Sequence, residues 1–174
     1  MQKIKVVPYK KEWPELFKEE KEKIKSFMTD NLVEIYHIGS TSVPNLAAKP
    51  VIDILLIVEN ISELDNLNSK FEAIGYEALG EFGMPGRRYF RKGGDDRTHQ
   101  IHAFQYDSIF DIERHLAFRD YLIHHERVAK KYGELKAELA LKYPECIDSY
   151  GDGKDTFVKE TEKKALIWYW KNRG

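Results

Sequence analysis

The segment His37-Ile38-Gly39-Ser40-Thr41-Ser42-Val43-Pro44-Asn45-Leu46-Ala47-Ala48-Lys49-Pro50-Val51-Ile52-Asp53-Ile54 carries two strand patterns and the turn between them. Leu32 to Ile38 is rich in β-branched and aromatic residues and stops at Gly39-Ser40, which reads as a strand ending in a turn. Val51 to Val58 is apolar on both faces except for Asp53, the pattern of a strand in the middle of a covered sheet. A carboxylate in such a strand is costly to bury unless it holds a cation or is well hydrogen-bonded. Pairing with an Arg or Lys satisfies Asp53 equally well. A Gly-Ser turn followed by hydroxyl residues offers N–H groups and short donors to phosphate oxygens, although such turns are common for structural reasons alone.

Working outward, Trp13, Leu16, Phe17, Ile24, Phe27 and Met28 recur at helical steps with Pro14 in the first turn, so residues 13 to 29 read as an amphipathic helix. Leu64, Leu67, Phe71 and Ile74 predict a helix between an N-cap at Ser62 and a C-cap at Gly75. Short strands follow at Tyr76 to Leu79, Arg88 to Arg91 and Thr98 to Tyr106, the last two joined by a hairpin turn at Gly93-Gly94-Asp95-Asp96. From Ser108 the period is helical, with a break near Gly133, a polar loop at Tyr150-Gly151-Asp152-Gly153-Lys154 and a last helix from Phe157 to Trp170. The fold class is α+β: a mixed sheet packed against several helices.

Composition narrows the function. At 174 residues and 42% hydrophobic, the chain has enough apolar material for one cored domain. Lys and Arg number 28 against 29 Asp and Glu, so no global field draws it to nucleic acid or anionic lipid, and any anion site is local. No continuous basic stripe with interleaved aromatics appears, so nucleic acid is not an expected partner. The longest apolar stretch falls far short of the ~20 residues of a membrane helix, and the amino-terminal segment lacks the apolar core of a signal peptide. With Cys146 the only cysteine, a cytoplasmic protein without disulfides is expected.

A strand, Gly-Ser, a spacer of 12 residues and an Asp between hydrophobic residues together resemble the nucleotidyltransferase superfamily. The longer string from His37 to Asp53 is similar to the GrpB-like family within it. So are Trp13-Pro14, Arg87-Arg88-Tyr89-Phe90-Arg91, Thr98 to Phe104 and His115 to Leu122, over about residues 5 to 170. The resemblance implies a nucleotidyltransferase-like fold, a single domain over 1–174 with a helical part from about 108. It also implies phosphate contacts from Gly39, Ser40 and Ser42, and a divalent metal, Mg²⁺ or Mn²⁺, at Asp53.

The pattern departs from the superfamily at one position. A second carboxylate normally stands two residues after the first, on the same strand face, so that two metals clamp the reacting oxygens. Here that residue is Leu55. The neighbouring strand offers His102 as metal ligand or acid/base, with His99 and Gln100 behind it by parity. Lys49, Arg88 and Arg119, together with Arg87 and Arg91, supply charge for an anion. Lys154 and Lys136 are further phosphate contacts, Tyr150 a surface for a base, and His37 either a phosphate donor or a brace. The function expected is binding of an NTP or phosphorylated small molecule, with nucleotidyl transfer to a small-molecule acceptor as the enzyme activity. The alternative is a non-catalytic nucleotide- or phospholigand-binding module on the same fold.

Overall fold

The computed structural model describes residues 3–173; Met1, Gln2 and Gly174, the ends of the expected 1–174 domain, lie outside the described residues. Its elements are α1 (Trp13–Lys25), β1 (Leu32–Ile38), a 3₁₀ turn (Ser40–Ser42), β2 (Ile52–Val58), α2 (Ile61–Leu64), α3 (Asn68–Ala73), β3 (Tyr76–Ala78), β4 (Arg88–Lys92), β5 (His99–Gln105), α4 (Ile109–His124), α5 (Glu126–Lys142) and α6 (Ile147–Lys171). The five strands form one mixed sheet in the order β1-β2-β5-β4-β3, with only β2 and β5 parallel. The architecture is α+β, as expected. No described helix is long and apolar enough to cross a membrane.

Strand alternation decides which residues meet. Ile52, Ile54, Leu56 and Val58 of β2 face α1 and α3 and form the main core with Ile24, Ile35, Phe71, Phe90 and Ile101. Asp53, Leu55 and Ile57 face the other way, where Leu55 and Ile57 pack with Ile38, Phe104 and Ile112 beneath α4. Both sides of β2 are therefore covered from Ile54 onward, which is why its pattern is apolar apart from Asp53.

Three sequence expectations are corrected. The helix expected from Ser62 to Gly75 is broken into α2, a 3₁₀ turn and α3, and its cap is Asn60, whose side chain accepts from the Ser62 and Glu63 N–H groups. α5 runs unbroken through Gly133, where an added Cβ would lie 3.3 Å from Leu46 Cδ1, so this glycine lets the helix approach the loop before β2. The polar loop expected at 150–154 is the beginning of α6, because Gly153 lies against Leu139 of α5 and a Cβ there would collide with its methyl group. Both glycines mark close packing rather than breaks. Cys146 caps α6 at the surface, its sulfur accepting from the Ser149 N–H at 3.5 Å.

Candidate functional site

The turn between β1 and β2 is held from behind. His37 lies on the α1 side of β1, stacked on Phe17, and its Nε2 is 2.9 Å from the Thr41 hydroxyl. That hydroxyl donates to the Val51 carbonyl at 3.3 Å, so it accepts from His37, whose proton is then on Nε2. Burial pushes His37 down to about 4, and the ring is a neutral brace. Gly39 has φ +74°, and a Cβ there would lie 2.6 Å from Asp53 Oδ2, so glycine is required both by the backbone and by the neighbouring carboxylate. Ser42 turns inward, its hydroxyl donating to the Gly39 carbonyl, whereas Ser40 faces the cleft.

The cleft lies between the C-terminal helices and the sheet face that carries Asp53. It has two lobes, which share Ser40, Asp53, Gln100 and Lys154. The inner lobe adds Lys49, Lys136 and Tyr150, and the outer lobe adds His102, Arg114, His115, Phe118, Tyr132 and Glu162. Register explains the junction: Asp53 pairs with Ile38 on one side and Gln100 on the other, and His102 lies two residues further along β5 on the same face. His102 Nε2 is 3.5 Å from Asp53 Oδ1, while its Nδ1 is 3.5 Å from Arg87 Nη1. Since guanidinium only donates, Nδ1 is assigned the lone pair and Nε2 the proton directed at Asp53.

The lysines behave differently from the arginines. Arg88 pairs with Ala103 on the opposite sheet face and is bound to Asp65 through Nε at 2.7 Å and Nη2 at 3.2 Å, so it does not reach the cleft. Arg119 is held below β1, donating to the His37 carbonyl at 3.2 Å and pairing with Asp120 at 2.8 Å. Arg87 comes closer to the cleft than Arg88, but two of its nitrogens are tied to the Glu81 and Phe82 carbonyls. By contrast, Lys49, Lys136 and Lys154 have no carboxylate within 4.0 Å among the described residues. Lys49 and Lys154 lie 5.2 and 5.1 Å from the centre of the Tyr150 ring, which is therefore enclosed rather than free to stack on a base. Lys136, 2% exposed, lies 4.4 Å from the centre of the Tyr132 ring. Burial, with Lys154 and Lys49 beside it, brings Lys136 down to about 6, and burial with Lys49 brings Lys154 to about 8.

The metal donor set is thin. Among the described residues, no group of three or more His, Cys, Asp and Glu side chains is arranged to hold an ion. Asp53 supplies one carboxylate, and Leu55, fully buried, stands where the second would be. These residues fit a divalent cation only if ligand oxygens complete its shell, as they do for Mg²⁺ on phosphates.

The sequence carries a signal for Lys136 beyond that of a general phosphate contact. Ala129, Tyr132, Gly133, Leu139 and Ala140 form the buried stripe of α5, and Lys136 is the one charged residue on it, as Asp53 is on β2.

Comparison with known proteins bears on the family and the fold. The chain is similar to a crystal structure of conserved protein GrpB from Enterococcus faecalis, with 51% identity and a TM-score of 0.93 over 95% of this chain and 99% of that one. It is 45% identical over 166 residues to UPF0157 protein YqkA of Bacillus subtilis, covering 95% of this chain but only 48% of that protein. The fold resembles that of the Cid1 poly(U) polymerase in a structure bound to MgATP, at 14% identity and a TM-score of 0.51, covering 75% of this chain and 45% of that one. The family model described as GrpB protein matches residues 3–164, and the chain belongs to the GrpB family.

Proposed function

We propose that the cleft binds a nucleoside triphosphate, with its phosphates against the Gly39-Ser40 turn and the lysines and a divalent cation shared between Asp53 and phosphate oxygens. One observation supports this reading: the side chains of Lys49, Lys136 and Lys154 line the same cleft as Ser40 and Asp53, and among the described residues Asp53, which is not within 4.0 Å of any of them, is the carboxylate that partly offsets their three charges. Gathering like charges out of water is unfavourable without a polyanion to balance them. Asp53 alone would repel that anion; Asp53 would hold a divalent cation, Mg²⁺ or Mn²⁺, which would supply charge to offset the repulsion. Ser40 donates to phosphate oxygens, and Lys49 and Lys154 neutralise their charge. His102 orients Asp53. Nucleotidyl transfer to a small acceptor is the reaction such an arrangement serves, but with Leu55 in place of a carboxylate β2 supplies no second metal ligand. Ligand binding is therefore the primary property and turnover is slow.

Calorimetric titration of ATP and UTP with Mn²⁺ tests this. Wild type should bind, Lys154→Gln should weaken binding at least about tenfold, and Ser40→Ala should weaken it less while costing under ~1 kcal/mol of stability. Absence of binding by wild type, or variants that bind as wild type does, overturns the reading. Robust Mn²⁺-dependent transfer of label from an NTP to pooled small acceptors would show that catalysis survives Leu55.

A further inference from the structure

Two buried polar atoms at the inner end of the cleft have no hydrogen-bond partner: Lys136 Nζ and the Tyr150 hydroxyl. Both side chains are at most 2% exposed, and both line the inner lobe, which meets the outer lobe at Ser40, Asp53, Gln100 and Lys154. Buried polar groups are satisfied in the great majority of cases, so two orphans facing one cavity mark a place that a ligand completes. Both are donors, and burial holds the Tyr150 hydroxyl up at about 12, so it stays protonated. A partner with anionic acceptor oxygens satisfies both at once and favours the charged form of Lys136.

We infer that the inner lobe is a terminal-phosphate subsite, in which Lys136 and the Tyr150 hydroxyl are satisfied by the last phosphate of the chain, so that the cleft selects ligands by phosphate number, triphosphate over diphosphate over monophosphate. This deepens the proposed nucleotide-binding role and rests on it. The organic part of the ligand lies in the outer lobe, where Phe118 and Tyr132 offer apolar surface, and the chain passes Asp53 on its way inward. A chain that ends at the junction meets Ser40 and Lys154 but leaves Lys136 and Tyr150 unpaired. A phosphate terminus carries up to two negative charges near neutral pH, as a cluster of three lysines requires.

Lys136 also supplies a readout that a merely structural lysine lacks. It faces Lys49 from the loop before β2, Asp53 from β2, Lys154 and Tyr150 from α6, and Tyr132 on its own helix. In the empty cleft these surroundings leave it largely neutral at pH 8; a phosphate against it restores the charged form, and binding takes up a proton.

The test is calorimetry with ATP, ADP, AMP and inorganic tripolyphosphate at pH 8, in two buffers of different ionisation heat, on wild type, Lys136→Met and Lys136→Arg. Wild type should favour ATP over ADP by tenfold or more, bind tripolyphosphate and take up a proton. Lys136→Met should bring the ATP:ADP ratio close to one, leave AMP unchanged and reduce the proton uptake. Lys136→Arg, charged at pH 8, should restore a preference for ATP with the uptake reduced to the share that Lys154 contributes. An unchanged ATP:ADP ratio in folded Lys136→Met overturns the subsite while leaving the nucleotide site standing. No binding of any nucleotide by wild type overturns the nucleotide reading itself.

Discussion

The two faces of the sheet each bury a cluster of charged groups, and the clusters differ in one respect. Behind β4 and β5, Glu20 of α1 is 2% exposed, and its carboxylate contacts Lys92, with Lys23 at 3.6 Å and His99 at 3.8 Å. The Lys92 ammonium also lies 4.8 Å from the centre of the Tyr76 ring. Opposite charges meet there and tie α1 to the sheet, although the Tyr76 hydroxyl and His99 Nε2 beside them lack hydrogen-bond partners. In front, Lys49, Lys136 and Lys154 gather with no such partner beside an open cleft. The two clusters are alike in burial and differ in how their charges are paired.

Glu20→Ala would break that contrast most severely. Burial raises the Glu20 carboxyl, but Lys92, His99 and Tyr76 outweigh it and hold it below its ordinary 4.5. Removing it strands Lys92, at a cost of ~3 kcal/mol and a melting temperature lower by about 10 °C, with nucleotide binding retained at temperatures where the fold survives. Because the folded-state value is depressed, this contribution is present above pH 4.5 and fades as pH falls through the folded value, so the gap between wild type and variant should narrow in acid. A variant as stable as wild type at pH 7 would show that the rear cluster ties nothing down.

Gly39→Ala comes next. It places a Cβ at φ +74° against the Asp53 carboxylate, and urea unfolding should report a loss of about 2 kcal/mol together with loss of ATP binding. Unimpaired binding would show that the turn and Asp53 do not act as a unit.

The smallest effect has the opposite sign. Lys136 binds its proton at about 6 in the folded chain and at 10.5 when unfolded, so between these values the unfolded state holds more protons and wild-type stability rises with pH. That difference sets a ceiling of about 5 kcal/mol at pH 7; because water enters the cleft beside Lys136, the gain for Lys136→Met without ligand should be about 1–2 kcal/mol, greatest below pH 6 and gone near 10.5. A loss of stability at pH 7 would place Lys136 with the architectural group.

β1, β2 and the turn between them were legible because a lone carboxylate in an apolar run and a Gly-Ser stop are local signals. The hairpin at Gly93–Asp96 was equally clear. The C-terminal half was harder, since Gly133 and Gly153 look like breaks in sequence and reveal themselves as contact points only when Leu46 and Leu139 are in place. Arg88 illustrates the limit of parity: Tyr89 and Phe90 are both apolar and both buried, so nothing in the local pattern says which neighbour faces the cleft, and the pairing with Ala103 decides it. Lys154 and Lys49, named from sequence, line the cleft with Gly39, Ser40, Asp53 and His102, whereas Ser42, Arg88 and Arg119 are committed elsewhere.

The amino-terminal segment bears on the order in which the molecule is assembled. Val7 exchanges hydrogen bonds with Ala48, next to Lys49, and the Ile4 N–H donates at 2.7 Å to the Pro144 carbonyl, just beyond the helix that carries Lys136. During synthesis Ile4 is made early but has nothing to bind until α5 has left the ribosome. The sheet, whose strands end at Gln105, can pair before then, and the wall joining the two lysine-bearing segments closes afterwards. The like charges of Lys49, Lys136 and Lys154 come from three segments, a set that the chain order completes only after all five strands.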